Sequence, residues 1–472
     1  MLVAAIAVRQ LLPPERLADA PEYVGGLLAV TLVGWATGGV VSGVLADYIG
    51  RKRMLMLSIL CYALFTGLSA VAHTYWMLLL FRFLTGLGLG GEWGPGAAMV
   101  SELWPPAARG RAAAALQSAY GVGILLASVV WLFVAPLGAA SWRYMFLIGV
   151  LPAFLTLYIR RGLDDPALWC AADARRRSAA ACVASGQAVT DEDRALLRLT
   201  VVRLVATPAL RRKLVPLLLM SLVTIIGYWG ASTWIPQYAG QIATAAGRDA
   251  RTWIALAGIV SGLGAIAGYL LFGVLADTWG RKPTTWVFYL AALPAVWVPF
   301  LLVRDPLLFL AAVALNGIIT TGQFAWMPIY LPELFPTSVR GTAIALVFNS
   351  ARYLAAAGPL VAGAVIVMFG GIGRAASVIA LVYVVGLVVT PFAGPETKGR
   401  PLPESGGGLR LPRFQVCRPL LFFLGHGRFS GLEADLAVGT VAEWLGDRAA
   451  APAQREPRPL PTRIDLVAVD VH

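Results

Sequence analysis

Long apolar runs dominate the sequence and limit the folds that are open to it. Runs of about 20 residues, enough to cross about 30 Å of hydrocarbon as a helix, recur from Val24 to Phe392 with short polar breaks between them. Their side chains do not alternate between apolar and polar, as the strands of a membrane barrel would. Only 13% of the residues are charged, about half the share in a soluble domain. We therefore expect an all-α polytopic membrane protein.

The apolar runs give eleven predicted spans. Eleven apolar spans are inconsistent with a soluble enzyme, so no enzymatic activity is expected. The spans are 24–46, 54–72, 76–100, 112–135, 142–160, 214–240, 253–276, 284–303, 306–331, 343–369 and 372–392.

Basic residues are distributed unevenly between the breaks. The formal net charge of +13 could indicate nucleic-acid binding, but basic loops on the cytoplasmic side of a membrane protein explain it as well. The breaks near Arg51, Arg109, Arg281 and Arg340 and the loop at 161–213 hold most of the arginines, and the opposite breaks hold few. This bias predicts that the central loop is cytoplasmic and that nucleic acid is not a partner.

Two motifs occur twice at nearly the same spacing. Gly-Val-Leu-Ala-Asp followed by Gly-Arg-Lys begins at Gly43 and again at Gly273. Glu-Leu-aromatic-Pro followed by Arg-Gly begins at Glu102 and again at Glu333. The two separations differ by a single position, and we call the separation of Glu102 from Glu333 the repeat offset. Two independent motifs at matching separations indicate a duplicated half, and paired halves are typical of secondary transporters.

The duplication divides the chain into four predicted segments. Residues 1–160 form a first helical bundle, 161–213 a cytoplasmic connector, and 214–394 a second bundle. Each bundle is expected to hold six helices. The first helix of the first bundle looks largely missing, because only about eight apolar residues precede Arg9. Residues 395–472 are a Gly/Pro/Arg-rich cytoplasmic tail that is either disordered or foreign to the rest.

The repeated Gly-x-x-x-Asp-x-x-Gly-Arg-Lys turn suggests a charged latch. It places a carboxylate at a helix end, then a reversal that glycine permits, then two cations within reach of neighbouring helix ends. The simpler interpretation is a tight turn with basic membrane anchors. Its occurrence at two matched positions favours a gate.

These loops resemble the signature of the major facilitator superfamily between its second and third and its eighth and ninth helices. Segments Arg82–Gly88, Pro332–Thr342 and Pro395–Gly399 resemble the sugar porters and the related carboxylate and aromatic-acid proton symporters, and the likeness covers roughly 1–400. The resemblance implies alternating access about a midplane site lined by helices one, four, seven and ten. It also implies that a cytoplasmic charge network forms the gate from Asp47, Arg51, Lys52, Glu102, Arg109, Asp277, Arg281, Lys282, Glu333 and Arg340.

Ionisable groups inside a span are candidates for function. The fourth family helix holds Arg82, Glu92 and Trp93, and Gln323 lies one repeat offset after Glu92 in the second half. Glu92 could carry a proton or be a buried carboxyl that neighbouring helices satisfy. Arg82 lies about 15 Å from Glu92 along the helix, too far for a direct pair. In proton-coupled relatives an acid on helix one commonly faces this arginine. That acid is absent here, so either the true start lies upstream or the chain has lost its coupling carboxylate, which would leave Glu92 as the candidate.

The second half adds aromatic and basic candidates. Tyr228, Trp229 and Thr233 could stack a ring and hydrogen-bond a carboxylate, or belong to an interfacial aromatic belt. Asn349 and Arg352 lie near the middle of their span, where Arg352 could hold an anion or anchor to backbone carbonyls.

Other site types find no support in the sequence. Gly86–Gly91 fits a Gly-x-Gly-x-x-Gly dinucleotide pattern, but it lies inside a span without a preceding strand, so close helix packing is expected instead. There is no Walker-type loop, and the three histidines lie in a turn and in the tail. The four cysteines show no metal-ligand spacing. We expect no cofactor, metal site or catalytic group.

The predicted function is proton-coupled symport of a small organic anion, either a carboxylate or an aromatic acid. A sugar symporter or facilitator is the alternative, and a non-transporting receptor or an inactive truncated remnant is an alternative of another class. The expected partners are a small solute, protons and the lipid bilayer. The protein is expected to be a monomer in the cell membrane, with its central loop and C-terminus in the cytoplasm.

Overall fold

The computed structural model describes residues 4–138, 140–358 and 365–403, which fold almost entirely as helices, with no strand in those ranges. The first half contains α1 Ala4–Leu11, α2 Ala20–Ile49, α3 Arg51–Ser69, α4 Tyr75–Leu103, α5 Arg109–Val134, α6 Ser141–Ile148 and α7 Leu155–Gly162. The connector contains α8 Ala167–Ala184, α9 Asp191–Leu196 and α10 Thr200–Ala206. The second half contains α11 Pro208–Gly230, α12 Ile235–Ala245, α13 Ala250–Thr278, α14 Arg281–Trp297, α15 Pro306–Asn316, α16 Trp326–Leu334, α17 Thr337–Ala355, α18 Ile372–Ile379 and α19 Val382–Val389.

The predicted all-α polytopic fold is confirmed. Within the described ranges, eight helical stretches are long and apolar enough to cross a membrane. Three predicted spans are not among them. The span at 76–100 is the unbroken helix α4, the span at 142–160 is divided between α6, a short 3-10 turn and α7, and the span at 343–369 includes residues 359–364, which lie outside the described ranges.

Glycines bring α2 and α4 into backbone contact. A Cβ atom on Gly38 would lie 2.0 Å from the carbonyl oxygen of Leu87, and one on Gly90 would lie 2.0 Å from that of Trp35. Neither position can therefore carry a side chain while the two helices keep this separation. Glycine that permits close helix contact is a common feature of membrane proteins. The glycines of Gly86–Gly91 serve helix packing, as predicted.

The two halves meet through two equivalent helix pairs. Helix α2 packs against α17, and α5 packs against α13. Gly43 of α2 lies against Ala345 of α17, and Gly273 of α13 lies against Ala114 of α5. The residues of the two contacts correspond to one another in the duplicated halves, as the sequence motifs do.

One second-half membrane stretch is irregular at its centre. Between α15 and α16, a π-helical turn at Gly317–Thr321 is followed by a 3-10 turn at Gln323–Ala325. Such interruptions inside membrane helices often mark functional positions, because they change the direction of side chains. The interruption places Gln323 at the break.

Candidate functional site

Each repeated motif turns at a glycine in the left-handed region of backbone conformation. Gly50 has φ 101° and Gly280 has φ 116°, values that other residues rarely adopt. The turn lets a new helix begin at once, so that α3 starts at Arg51 and α14 at Arg281. The turn therefore places the motif's aspartate and arginine close enough to form an ion pair.

The motif aspartates reach across to the opposite half. Asp47 accepts hydrogen bonds from the backbone N–H groups of Gly341 and Thr342 at 3.1 and 2.9 Å and from the Thr342 hydroxyl at 2.7 Å. Asp277 likewise accepts a hydrogen bond from the backbone N–H of Arg111 at 3.0 Å. Each half thus holds the start of a helix that belongs to the other half.

Glu102 is the centre of the first ion-pair cluster. Its Oε1 atom accepts hydrogen bonds from Arg51 of its own half at 3.2 Å and from Arg340 of the opposite half at 2.7 Å. Arg51 also pairs with Asp47 at 3.1 Å. The side chains of all four residues are buried, so these charges depend on one another for stabilisation.

Glu333 is the centre of the equivalent second cluster. It accepts two hydrogen bonds of 2.9 Å from Arg281 and one of 3.3 Å from Arg109 of the opposite half. Arg281 also pairs with Asp277 at 3.1 Å. The hydroxyl of Thr397 donates a further bond of 2.5 Å to Glu333.

The two clusters differ in one detail. Oε2 of Glu102 is buried and has no hydrogen-bond partner in the described part of the chain, whereas Oε2 of Glu333 has Arg281 and Thr397 as partners. Pro166 stands at the position equivalent to Thr397, because the repeat offset separates the two. Proline has no hydroxyl to donate, which explains why the first cluster is less complete.

Eight predicted gate residues therefore lie in two largely buried clusters, which we call the paired gate: Asp47, Arg51, Glu102, Arg109, Asp277, Arg281, Glu333 and Arg340. Two other predicted gate residues lie outside the clusters. The ammonium group of Lys52 is 3.5 Å from the exposed Asp164. Lys282 donates to the backbone carbonyls of Pro391 and Gly394 at 2.7 and 2.9 Å.

Sequence reasoning missed two carboxylates that cap the helices after the turns. Asp165 accepts a hydrogen bond of 2.9 Å from the backbone N–H of Lys52. Glu396 accepts bonds of 2.9 and 3.0 Å from the N–H groups of Arg281 and Lys282. Burial opposes ionisation of Glu396, but these backbone donors prevail and lower its pKa. The repeat offset also separates Asp165 from Glu396, so the duplication in the sequence could have identified both residues.

The connector packs against the paired gate. Arg176 of α8 donates a hydrogen bond of 2.8 Å to the backbone carbonyl of Asp47. In α10, the hydroxyl of Thr200 is hydrogen-bonded to that of Thr342 at 2.7 Å, and Arg203 donates a bond of 2.8 Å to Ser338. The connector therefore touches both halves where they meet.

A second group of candidates lies where α2, α4, α5 and α17 meet. Arg352 is buried and donates bonds of 3.0 Å to Asn349 and 3.2 Å to the Phe348 carbonyl. Its guanidinium lies 3.7 Å from the ring centroid of Phe348 and 4.7 Å from that of Trp35. In the described part of the chain, no carboxylate lies within ion-pair distance of it.

Trp93 joins this group from α4. Its ring stacks on that of Phe348, with 3.6 Å between centroids and 14° between planes. Its indole N–H donates to Gln117 of α5 at 2.8 Å. The structure thus brings the candidates Trp93, Asn349 and Arg352 together. Trp35 and Phe348 were not predicted, because single aromatic residues in an apolar helix look like ordinary core.

The basic and acidic candidates of α4, Arg82 and Glu92, contact different residues. Arg82 donates a long bond of 3.5 Å to Thr66 and lies 4.9 Å from the Phe146 ring centroid. Glu92 lies near Tyr62 and forms no ion pair among the described residues. The structure does not bring the two together.

The remaining candidates lie in the second half. Gln323 donates bonds to the Tyr383 hydroxyl at 3.0 Å and to the Thr320 carbonyl at 2.8 Å, but its buried Oε1 has no partner among the described residues. Tyr228 has edge contacts with the rings of Trp229 and Phe324 at 5.6 and 5.4 Å. The side chain of Thr233 lies outside the described part of the structure.

Similarity to known proteins covers most of the chain. Residues 15–406 match the family model described as "Sugar (and other) transporter". A Haemophilus influenzae protein named "putative metabolite transport protein" is 33% identical over 81% of this chain and 89% of its own length. The probable 4-methylmuconolactone transporter of Cupriavidus pinatubonensis is 32% identical over 81% of this chain and 84% of its own length.

The fold matches a solved membrane transporter. The proton:xylose symporter XylE of the major facilitator superfamily, bound to 6-bromo-6-deoxy-D-glucose, superposes with a TM-score of 0.68 at 19% identity. The match covers 86% of this chain and 94% of that one. At this identity the likeness concerns the fold alone.

Proposed function

Because this chain belongs to the sugar (and other) transporter family, we propose that it is a proton-coupled symporter that carries a small organic anion by alternating access. The family and its relatives are membrane transporters of small solutes and not enzymes, so the predicted class of protein is confirmed. The coupling ion, the substrate and the roles of individual residues belong to the proposal.

The paired gate supports alternating access. In this structure, carboxylates of each half hold arginines or helix starts of the other half, and these contacts support a pathway that is closed at that end. Opening must break buried ion pairs, and the groups are released into water where they can be solvated. The same residues can therefore separate and rejoin during each cycle. We place this end in the cytoplasm, together with the connector and the C-terminus.

The observation that carries the anion proposal is Arg352. A buried guanidinium without a carboxylate partner is costly in a membrane. Ring contacts with Trp35 and Phe348 and carbonyl bonds offset part of that cost. An anionic substrate would supply the missing charge at the interface between the two halves. The role assigned to Arg352 is therefore to neutralise the substrate.

Glu92 is the proposed proton carrier. It is a carboxyl within α4, one residue before Trp93, and it forms no ion pair among the described residues. An ionisable group within a membrane span is a candidate for a proton relay. Protonation and release at Glu92 would couple the proton to movement of α4. In this proposal the protein works as a monomer in the cell membrane.

Gln323 favours a second candidate, a sugar. Its unpartnered carbonyl oxygen lies at the helix break between α15 and α16 and could accept a hydrogen bond from a sugar hydroxyl. The family description also includes sugars.

Uptake into reconstituted vesicles distinguishes these substrates. A panel of labelled sugars, aliphatic carboxylates and aromatic carboxylates is measured with and without an acid-outside pH gradient, and uptake by protein-free vesicles is subtracted. The proposal predicts that carboxylates accumulate only with the gradient, and that Arg352→Gln abolishes this uptake. Sugar uptake that survives Arg352→Gln would instead support the second candidate.

A further inference from the structure

The paired gate joins the two halves at two places, and the first of them is held by short bonds. Arg340 of α17 donates a bond of 2.7 Å to Glu102 of the opposite half. Asp47 of α2 accepts bonds of 2.7 to 3.1 Å from Gly341 and Thr342 of α17. The side chains of the Arg340–Glu102 pair are completely buried, so water does not compete for this contact. We call this contact the α2–α17 side.

The equivalent contact, which we call the α5–α13 side, is held by longer bonds. Arg109 of α5 donates bonds of 3.3 Å to Glu333 and 3.4 Å to the Arg400 carbonyl. Asp277 of α13 accepts one bond of 3.0 Å from the backbone N–H of Arg111 and lies 3.5 Å from its guanidinium group. The Arg111 side chain is 61% exposed, and an ion pair with an exposed group contributes little. This side therefore holds the two halves together less firmly.

The two central carboxylates also differ in what they keep when the halves part. Glu333 remains satisfied without Arg109, because Arg281 and Thr397 of its own half donate bonds of 2.9, 2.9 and 2.5 Å. Glu102 would keep a single bond of 3.2 Å from its own half, and its buried Oε2 has no partner in the described part of the chain. A buried charge that loses its partner is costly. Separation is therefore easier at Glu333 than at Glu102.

The connector reinforces one side only. The backbone N–H of Thr200 donates a bond of 3.2 Å to the Tyr48 hydroxyl of α2, and the Thr200 hydroxyl is bonded to that of Thr342 of α17 at 2.7 Å. Arg203 donates a bond of 2.8 Å to Ser338, also of α17. Among the hydrogen bonds described for the connector, none reaches α5 or α13. The connector thus ties α2 to α17 and leaves the α5–α13 side without such a tie.

We propose that the paired gate opens in two steps, and that the α5–α13 side parts before the α2–α17 side. In the half-open state between the two steps, Arg352 of α17 would still lie against the Trp35 ring of α2. An anion held by Arg352 would therefore leave only in the second step, a consequence that rests on the proposed anion transport. The order of opening itself rests only on the contacts between the halves.

Two equivalent alanines can report the two sides separately. Ala114 of α5 lies against Gly273 of α13, and Ala345 of α17 lies against Gly43 of α2. Both alanines are fully buried, and the repeat offset separates them. A cysteine at either position should therefore react with a thiol reagent only when its own side has parted.

The rates of thiol labelling are measured in vesicles without substrate. Ala114→Cys and Ala345→Cys are each placed in a background in which Cys61, Cys170, Cys182 and Cys417 are replaced by serine. A membrane-permeant reagent is used, and each rate is divided by the rate of the same variant in denaturant. We expect the normalised rate at position 114 to exceed that at position 345 by about 10-fold or more, which corresponds to at least one hydrogen bond to a charged group.

Substitution of the equivalent aspartates tests the order of the steps. A weakened first step raises the populations of the half-open and open states, whereas a weakened second step raises only that of the open state. Asp277→Asn should therefore accelerate labelling about 10-fold at both positions, and Asp47→Asn should accelerate it on the order of 100-fold at position 345 alone.

Two milder variants repeat the test, and a thermal melt shows that each variant is folded. Arg111→Gln should accelerate labelling about two- to fivefold at both positions, because it removes only an exposed ion pair. Thr342→Val removes a hydroxyl that is bonded to Asp47 and should accelerate labelling about 10-fold at position 345 alone.

Each other outcome has a definite meaning. Equal acceleration at both positions by every variant would show a single concerted step and overturn the proposal. Acceleration at both positions by Asp47→Asn, with an effect of Asp277→Asn at position 114 alone, would show the reverse order. No acceleration by any variant would mean that these contacts do not hold the gate. Two-step labelling in vesicles that take up no carboxylate would overturn the proposed anion transport and leave the order of opening standing.

Discussion

Replacement of Asp47 by asparagine tests the paired gate most sharply, because the two side chains have nearly the same shape. The carboxylate accepts three hydrogen bonds from Gly341 and Thr342 and pairs with Arg51. Asparagine keeps one acceptor oxygen, loses the charge and turns an NH₂ group towards groups that are themselves donors. The closed gate should therefore lose stability relative to the open one.

The size of the effect follows from these contacts. A hydrogen bond to a charged group contributes about 1.5–3 kcal/mol, and removal of one partner from a buried ion pair costs about 3–5 kcal/mol. A loss of about 3 kcal/mol changes the closed-to-open ratio on the order of 100-fold. Pathway closure at this end would then become the limiting step of transport.

Opening of the gate can be measured as the labelling rate of a cysteine introduced at a buried position. Ser101 is fully buried beside Glu102, and Ser101→Cys is a small change. In a background in which Cys61, Cys170, Cys182 and Cys417 are replaced by serine, a membrane-permeant thiol reagent should label the thiol at position 101 slowly. Asp47→Asn should accelerate labelling on the order of 100-fold and reduce uptake. The matched control is Asp164→Asn, because the Asp164 side chain is 97% exposed.

If Asp47→Asn and Asp164→Asn show equal labelling and equal uptake at matched expression, the contacts of Asp47 do not hold the gate closed. A labelling increase without a change in uptake would mean that gate closure is not limiting.

Three further predictions concern the same end of the molecule. Glu333→Gln should lower the free energy of unfolding by about 1–2 kcal/mol more than Glu102→Gln in chemical denaturation, because Glu333 has more hydrogen-bond donors. Glu396→Gln should cost about 1 kcal/mol at neutral pH, as loss of a helix cap does. Since the pKa of Glu396 is lowered from its ordinary value of 4.5, its carboxylate stabilises the fold above that value. The difference between the two proteins' melting temperatures should therefore shrink as the pH falls below 4.5. Gly280→Ala should cost about 1–3 kcal/mol in thermal melts because of its φ of 116°, whereas Gly96→Ala, which meets no atom closer than 3.8 Å, should be neutral or slightly stabilising.

The repeat made the paired gate predictable from the sequence. Charged residues that recur at one offset must occupy equivalent places in two similar halves, and the structure brings Glu102 to Arg340 and Glu333 to Arg109. Periodicity and composition were sufficient for the all-α fold. They could not show that residues 142–160 are divided by a 3-10 turn, because apolar residues fill both the regular and the irregular parts.

The group formed by Trp35, Trp93, Phe348 and Arg352 was predictable only in part. Arg352 and Trp93 are recognisable as candidates in the sequence, because a charge and a large polar aromatic are uncommon within a span. Trp35 and Phe348 carry no such signal, since an aromatic residue in an apolar helix packs equally well against lipid, core or ligand. Asp165 and Glu396 were not predicted for another reason. Acidic residues are common in loops, and their capping role becomes visible only when the start of the capped helix is known.

We expect the two halves to move apart and back each time a solute crosses. Gly94 of α4 and Ala345 of α17 face each other across the halves, and a Cβ on Gly94 would lie 3.5 Å from that of Ala345, a separation that suits a disulfide. The Gly94→Cys, Ala345→Cys pair is placed in the cysteine-free background and reconstituted in vesicles. We predict that oxidation stops uptake and that reduction restores it, whereas each single cysteine variant is insensitive to the oxidant. Undiminished uptake by fully cross-linked protein would show that transport does not require the two halves to separate at this contact.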